Sequence, residues 1–135
     1  MNKNRKLVYD KFGGKCAYCG TDLPEKGWHV DEVLPVHRNH KWDRAKRKWV
    51  HDGTCKYPER FNIDNQYPAC ASCNINKRTL SLEGFRRLIH GFMKHLNEQS
   101  TQYKIAKRYG LVTETDKKIK FWFEIYDPEN PDQTS

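Results

Sequence analysis

Two short stretches constrain this chain more than any others: Cys16-Ala17-Tyr18-Cys19 and Cys70-Ala71-Ser72-Cys73. Each sets two thiols one tight turn apart, so both can reach one metal ion. Four sulfurs at about 2.3 Å satisfy the tetrahedral preference of zinc and leave no open position, which marks a structural site. The other readings are two disulfides, or redox chemistry from a single pair. Two such pairs in one short basic chain favour zinc. The metal would then clamp both ends of the excursion formed by residues 20–69.

The rest of the composition agrees with a metal staple. The chain has 135 residues, of which hydrophobic residues are 36%. That suits one domain with a modest core, and a modest core often needs a metal. No run is long or apolar enough to span a membrane. The basic start, Met1-Asn2-Lys3-Asn4-Arg5-Lys6, is not followed by the apolar run of a signal peptide. A reducing, cytoplasmic setting is expected, where cysteines bind metal more often than they pair. Cys55 reads as a bystander in a loop. A net charge of +8 suits a partner rich in phosphate, or serves solubility alone.

Along the chain, residues 4–12 read as a short helix stopped by Gly13-Gly14. Trp28 to Val36 reads as a strand ended near Pro35, and Phe61 to Tyr67 as a second strand. Between them residues 37–60 are polar and show no period, so a long functional or disordered loop is expected. A helix is expected from about Cys73 or Asn74 to Arg78. Ser81 suits the N-cap of a longer helix carrying Leu82, Phe85, Ile89, Phe92 and Leu96 on one face. His90 and His95 would be solvent-facing or half-buried on it. Ser100 or Thr101 begins a further helix stopped by Gly110. Lys118 to Tyr126 alternates Ile119, Phe121, Phe123 and Ile125 with polar residues and Trp122, which predicts a half-buried strand. The tail from Asp127 is expected to be mobile.

The chemistry-bearing residues fall in a fixed order. His29-Val30-Asp31-Glu32-Val33-Leu34-Pro35 follows the first Cys pair. Asn62-Ile63-Asp64-Asn65 precedes the second pair, and Asn74-Ile75-Asn76-Lys77 follows it at once. This layout resembles the zinc-stapled HNH endonucleases. They carry a Cys pair, Asp-His with an apolar residue and a Pro, a central Asn, a second Cys pair and then Asn-x-x-Lys. The match covers about residues 9–79. Leu82-Glu83-Gly84-Phe85-Arg86 and the stretch Ile105 to Leu111 look similar to phage-type members, which suggests a phage or prophage origin.

The resemblance implies an α+β fold: a ββα-metal core stapled by a four-cysteine zinc site, with C-terminal helices and a strand added. One domain would span 1–126, with the core at 9–79, an extension at 81–126 and a flexible tail at 127–135. It implies DNA as partner and metal-dependent phosphodiester hydrolysis, by nicking or by double-strand cutting as a homodimer. Asp31 and Asn74 would hold the catalytic Mg²⁺ or Mn²⁺, to which hard oxygen donors are suited. Asn65 would position the general base, and Lys77 would approach a phosphate.

One residue departs from the pattern. Glu32 stands where the family has its catalytic His. A carboxylate is a weaker base than imidazole unless burial raises its pKa. Three readings stay open: Glu32 is the base; it is a second metal-binding carboxylate, with His29 or His37 as base; or the site only binds nucleic acid. Arg38, Arg44, Lys46, Arg47 and Lys48, interleaved with Trp42 and Trp49, read equally as a DNA-contacting loop or a solvated one. His40 and His51 lie in the same loop. Arg60 and His37 are further candidates for DNA contact. A purely structural zinc protein would account for the cysteines and leave Asp31, Asn65, Asn74 and Lys77 without a role.

Overall fold

The two Cys pairs meet in space, and the elements between and after them are arranged by that meeting. The computed structural model describes residues 1–130. The first helix, α1 (Lys3–Asp10), begins where the Asn2 side chain accepts a hydrogen bond from the Arg5 N–H at 2.8 Å. It buries Val8. Gly13 and Gly14, both at φ +75°, then turn the chain into the first Cys pair.

Strand β1 (His29–Glu32) pairs antiparallel with β4 (Gln66–Ala69), placing Asp31 opposite Tyr67 and Glu32 opposite Gln66. Helix α2 (Ala71–Lys77) follows β4 directly, with Cys70 as its N-cap. Both strands are shorter than the sequence suggested. After Glu32 the chain leaves the ladder because Asn65 takes over its backbone groups. Before Gln66 the expected strand gives way to a tight 3₁₀ turn, Ile63–Asn65, and another, Pro58–Arg60, lies just ahead of it. The Asn62 side chain accepts from the Asn65 N–H, a local bond that competes with strand pairing.

The polar stretch expected as a loop is instead a hairpin. Strands β2 (Arg38–Asp43) and β3 (Lys48–Cys55) pair antiparallel, with Trp42 opposite Trp49 and His40 opposite His51. Both faces of this arm are largely exposed, so the sequence carries no apolar alternation. Cross-strand pairs replace it, including Asn39 donating to Thr54 Oγ1 at 2.9 Å. The turn is fixed by Asp43, which accepts from the Lys46 N–H at 3.0 Å, and by Arg47 at φ +51°.

Beyond α2, Ser81 caps α3 (Leu82–His90) by accepting from the Gly84 N–H at 3.0 Å. The single long helix predicted from Ser81 breaks at Gly91 into α3 and α4 (Phe92–Gln99). Ser100 caps α5 (Thr101–Arg108), and Gly110 at φ +75° ends that turn. His90 and His95 are exposed, as expected.

The C-terminal strand does not form. The chain from Leu111 to Phe121 is without regular structure, and a four-residue helix, α6 (Trp122–Ile125), follows. Instead the Trp122 and Phe123 N–H groups donate to the carbonyls of Tyr18 and Ala17 at 3.0 and 2.8 Å. Arg86 clasps Glu124 at 2.8 Å and lies over the Phe121 ring. Three of the four residues expected on the inward face do pack inward: Phe121 is buried, with Ile119 and Phe123 packed against the core.

The core is aromatic. Phe85 and Phe121 stack at 5.6 Å, and Tyr18 meets both edge-on at 5.4 Å. Trp28 is buried between Tyr9 and the Arg5 guanidinium. Among the described residues no helix is long and apolar enough to cross a membrane. Of the tail expected to be mobile, Asp127 to Asn130 form a turn, and 131–135 lie outside the described residues.

Candidate metal centre and catalytic groove

The thiols of Cys16, Cys19, Cys70 and Cys73 all lie within 4.8 Å of one another. Cys19 Sγ and Cys70 Sγ are 3.8 Å apart, far beyond a disulfide bond. That separation matches the edge of a tetrahedron whose centre is about 2.3 Å from each sulfur. The donor set is therefore able to hold a metal such as zinc. Local backbone geometry builds it: the Gly20 N–H donates to the Cys16 carbonyl at 3.0 Å with Gly20 at φ +75°. The Cys73 N–H donates to Cys70 Sγ at 3.4 Å. Crowding also polarises the thiols. Hydrogen bonds from Cys19 and Cys73 drive Cys16 far below its ordinary pKa, while Cys19 is pushed up to about 11. Metal binding releases such protons.

Tyr18, inside the first Cys pair, links this centre to the groove. Its phenol donates to Asp31 Oδ2. Burial and the Asp31 charge raise the Tyr18 pKa well above its usual value, so it stays a donor. The same Oδ2 lies 3.1 Å from Lys77 Nζ. Asp31 is 5% exposed and Lys77 0%. Burial raises the Asp31 pKa, and the Lys77 charge opposes that rise. Lys77 also donates to the Val33 carbonyl at 3.4 Å. The expected phosphate contact by Lys77 is therefore corrected. From the last turn of α2 its ammonium points into the protein, where it compensates a buried carboxylate.

Asp31 and Asn74 line one groove of about 490 Å³ together with Glu32. Asn74 sits within α2 rather than at its start, because Cys70 begins the helix earlier than expected. Both contacts to Asp31 fall on Oδ2, and neither engages Oδ1. Glu32 is half-buried, and this desolvation raises its pKa above the ordinary carboxylate value, opposed in part by Arg38. Across the groove stand His37 and Arg38, then His40 and His51 from the hairpin, and Arg78 from the end of α2. His37 is held at φ +54° with its ring 5.8 Å from Tyr57.

Asn65 is tied to the backbone after Glu32. Its Oδ1 accepts from the Leu34 N–H at 2.8 Å, and its Nδ2 donates to the Leu34 and Arg60 carbonyls at 2.9 Å each. Its own carbonyl accepts from the Val33 N–H at 2.9 Å. Arg60 is also committed to the scaffold: it donates to the Pro35 carbonyl at 2.7 Å and stacks on Tyr57 at 3.8 Å. His29, one of the alternative bases, is exposed at the far end of β1 opposite Ala69 and does not line the groove. Cys55 is a free, half-buried thiol at the end of β3, outside the cluster.

Sequence reasoning missed Tyr18 and Arg78. No clear signal existed for Tyr18, since the residues inside the second Cys pair, Ala71 and Ser72, are exposed. None existed for Arg78, whose place depends on its φ of +52° at the helix end. The chain matches no protein-family model, no curated protein and no solved structure.

Two expectations follow. Cys70→Ser should lose the metal, which elemental analysis of purified protein measures, and should lower the unfolding midpoint; an unchanged zinc content would contradict the four-sulfur site. Lys77→Met should destabilise the fold by about 3–5 kcal/mol, because a buried charge is left uncompensated. In denaturant titrations the Asp31→Leu, Lys77→Met double variant should cost less than the sum of the singles. Additive costs would mean the pair is not coupled.

Proposed function

We propose that this chain is a metal-dependent DNA endonuclease of the HNH type, hydrolysing phosphodiester bonds from the groove between β1, α2 and the base of the hairpin. The observation that carries this reading is the convergence of Asp31, Glu32 and Asn74 on one groove rimmed by His37, Arg38 and Arg78. An antiparallel strand pair followed by a helix, β1, β4 and α2, supplies that convergence and fits a ββα-metal core.

Asp31 and Asn74 offer oxygen donors suited to Mg²⁺ or Mn²⁺. Such an ion supplies charge stabilisation at the phosphate and the leaving oxygen. The chain's own residues do the rest. Tyr18 and Lys77 fix the Asp31 carboxylate through Oδ2; Oδ1 would be its donor to the metal. Glu32, with its pKa raised by burial, takes the proton from the attacking water. Asn65 holds the backbone beyond Glu32 and so fixes where that base stands. Arg38, His37 and Arg78 receive the phosphates on either side. One such site cuts one strand per event, so double-strand cutting needs a homodimer or two nicks. A reducing cytoplasm suits the unpaired thiols.

Supercoiled-plasmid nicking with Mg²⁺ or Mn²⁺ tests the reading. The zinc-loaded protein should nick, Asp31→Ala and Asn74→Ala should not, and Glu32→Ala should be slower by about 10²-fold or more. Parental rates in Glu32→Ala would remove it from the mechanism and leave His37 as the base in the groove. DNA binding without cleavage in any metal would make the chain a zinc-dependent nucleic-acid-binding module.

A further inference from the structure

The β2–β3 hairpin carries a feature that phosphodiester hydrolysis does not require. Trp42 and Trp49 face each other across the strands, with ring centroids 5.7 Å apart and planes at 72°. They are 50% and 66% exposed. The next pair toward the base of the arm on the same face is His40 and His51, at 4.6 Å. Residues two apart on a strand share a face, so the indoles and imidazoles form one continuous surface. His40 and His51 line the groove that holds Asp31, Glu32 and Asn74. The indole pair therefore extends the groove outward, by about 7 Å or about two base steps.

We propose that this arm is a base-stacking platform, and that the substrate of the groove is DNA carrying unpaired bases beside the scissile phosphate. This inference rests on the nuclease reading and narrows it to a substrate class. A cross-strand indole pair also staples a hairpin, which accounts for the two rings being neighbours. Stapling alone does not account for their face. The opposite face of the same strands carries Lys41 across from Val50 and Asn39 bonded to Thr54. The largest apolar surface of the arm is thus on the groove side, open to solvent. In a duplex the faces of the bases are covered by their neighbours, whereas an unpaired base presents a face for an aromatic ring.

Charge points the same way. Arg38, Lys41, Arg44, Lys46, Arg47 and Lys48 on the arm outnumber Asp43 and Asp52, so phosphates flanking a stacked base are neutralised along it. The positive arm and the acid-bearing groove together fit a strand whose backbone enters the groove while its bases lie against the indoles.

The test is fluorescence anisotropy with zinc-loaded full-length protein and no added divalent cation. The probes are a blunt DNA duplex, the same duplex bearing a single-stranded flap, and vesicles of anionic phospholipid. Wild type should bind the flap at least about 10-fold tighter than the blunt duplex. Trp42→Ala and Trp49→Ala should each weaken flap binding by about 5- to 150-fold, from the 1–3 kcal/mol that stacking one base contributes. Blunt-duplex affinity should change little. Trp49→Leu keeps an apolar cross-strand contact without the indole face; it should lose the flap preference even where an alanine variant unfolds the arm. A flap preference retained in Trp49→Leu, or equal wild-type affinity for flap and duplex, overturns this inference and leaves the nuclease reading intact. Binding to vesicles with none to DNA overturns both.

Discussion

Everything in this structure that positions a reactive group traces back to the meeting of four thiols. Cys16 and Cys19 come from a turn before β1, and Cys70 and Cys73 from the start of α2. Bringing them together fixes both ends of the excursion. A metal held there contributes its binding free energy to folding, since the site does not exist in the unfolded chain. The residues between the first two thiols extend this control. Tyr18 packs among Phe85, Phe121 and Phe123 and donates to Asp31. Ala17 and Tyr18 also accept hydrogen bonds from the C-terminal segment. One turn of chain thus joins the metal centre, the aromatic core and the groove.

The buried pair of Asp31 and Lys77 shows how charge is handled beside that turn. Two buried charges are expensive unless each is well compensated. Here the carboxylate has both an ammonium and a phenol on one oxygen, so its position is set before any ligand arrives. Glu32, its neighbour in sequence, is treated differently. It is half-buried, and this desolvation raises its pKa, with the Arg38 charge only partly opposing the rise. Adjacent carboxylates in such unlike surroundings suit the unlike tasks proposed for them, one as a fixed ligand and one as a proton acceptor.

Local chemistry is readable in the sequence, and long-range chemistry only in part. Ser81, Ser100 and Gly110 mark helix ends because capping depends on a few neighbouring residues. The Cys spacing carries the four-thiol cluster; of the ordered residues Asp31 and Asn74 line one groove, whereas Asn65 binds the backbone beyond Glu32. Gly91 breaks a helix whose apolar spacing runs straight through it. The hairpin is hidden because an arm exposed on both faces has no apolar alternation; only its register reveals that Trp42 meets Trp49. The C-terminal alternation reports burial in part and secondary structure wrongly: Ile119, Phe121 and Phe123 pack inward without a partner strand, but Trp122, placed on the outer face, is half-buried as well. Lys77 departs from expectation because a helix-end lysine is ordinarily exposed, and only the fold brings Asp31 beneath it.

In the proposed function, Asp31 and Asn74 would hold a divalent cation in the groove between β1 and α2. Titrating Mn²⁺ into zinc-loaded, isotope-labelled protein and following paramagnetic broadening tests it without recourse to activity. One ion per chain should broaden the resonances of Glu32, Asn74, His37 and His51 first, and Asn74→Ala should abolish that pattern while the zinc stays bound. Broadening spread over surface carboxylates, or a groove pattern unchanged by Asn74→Ala, would contradict the account.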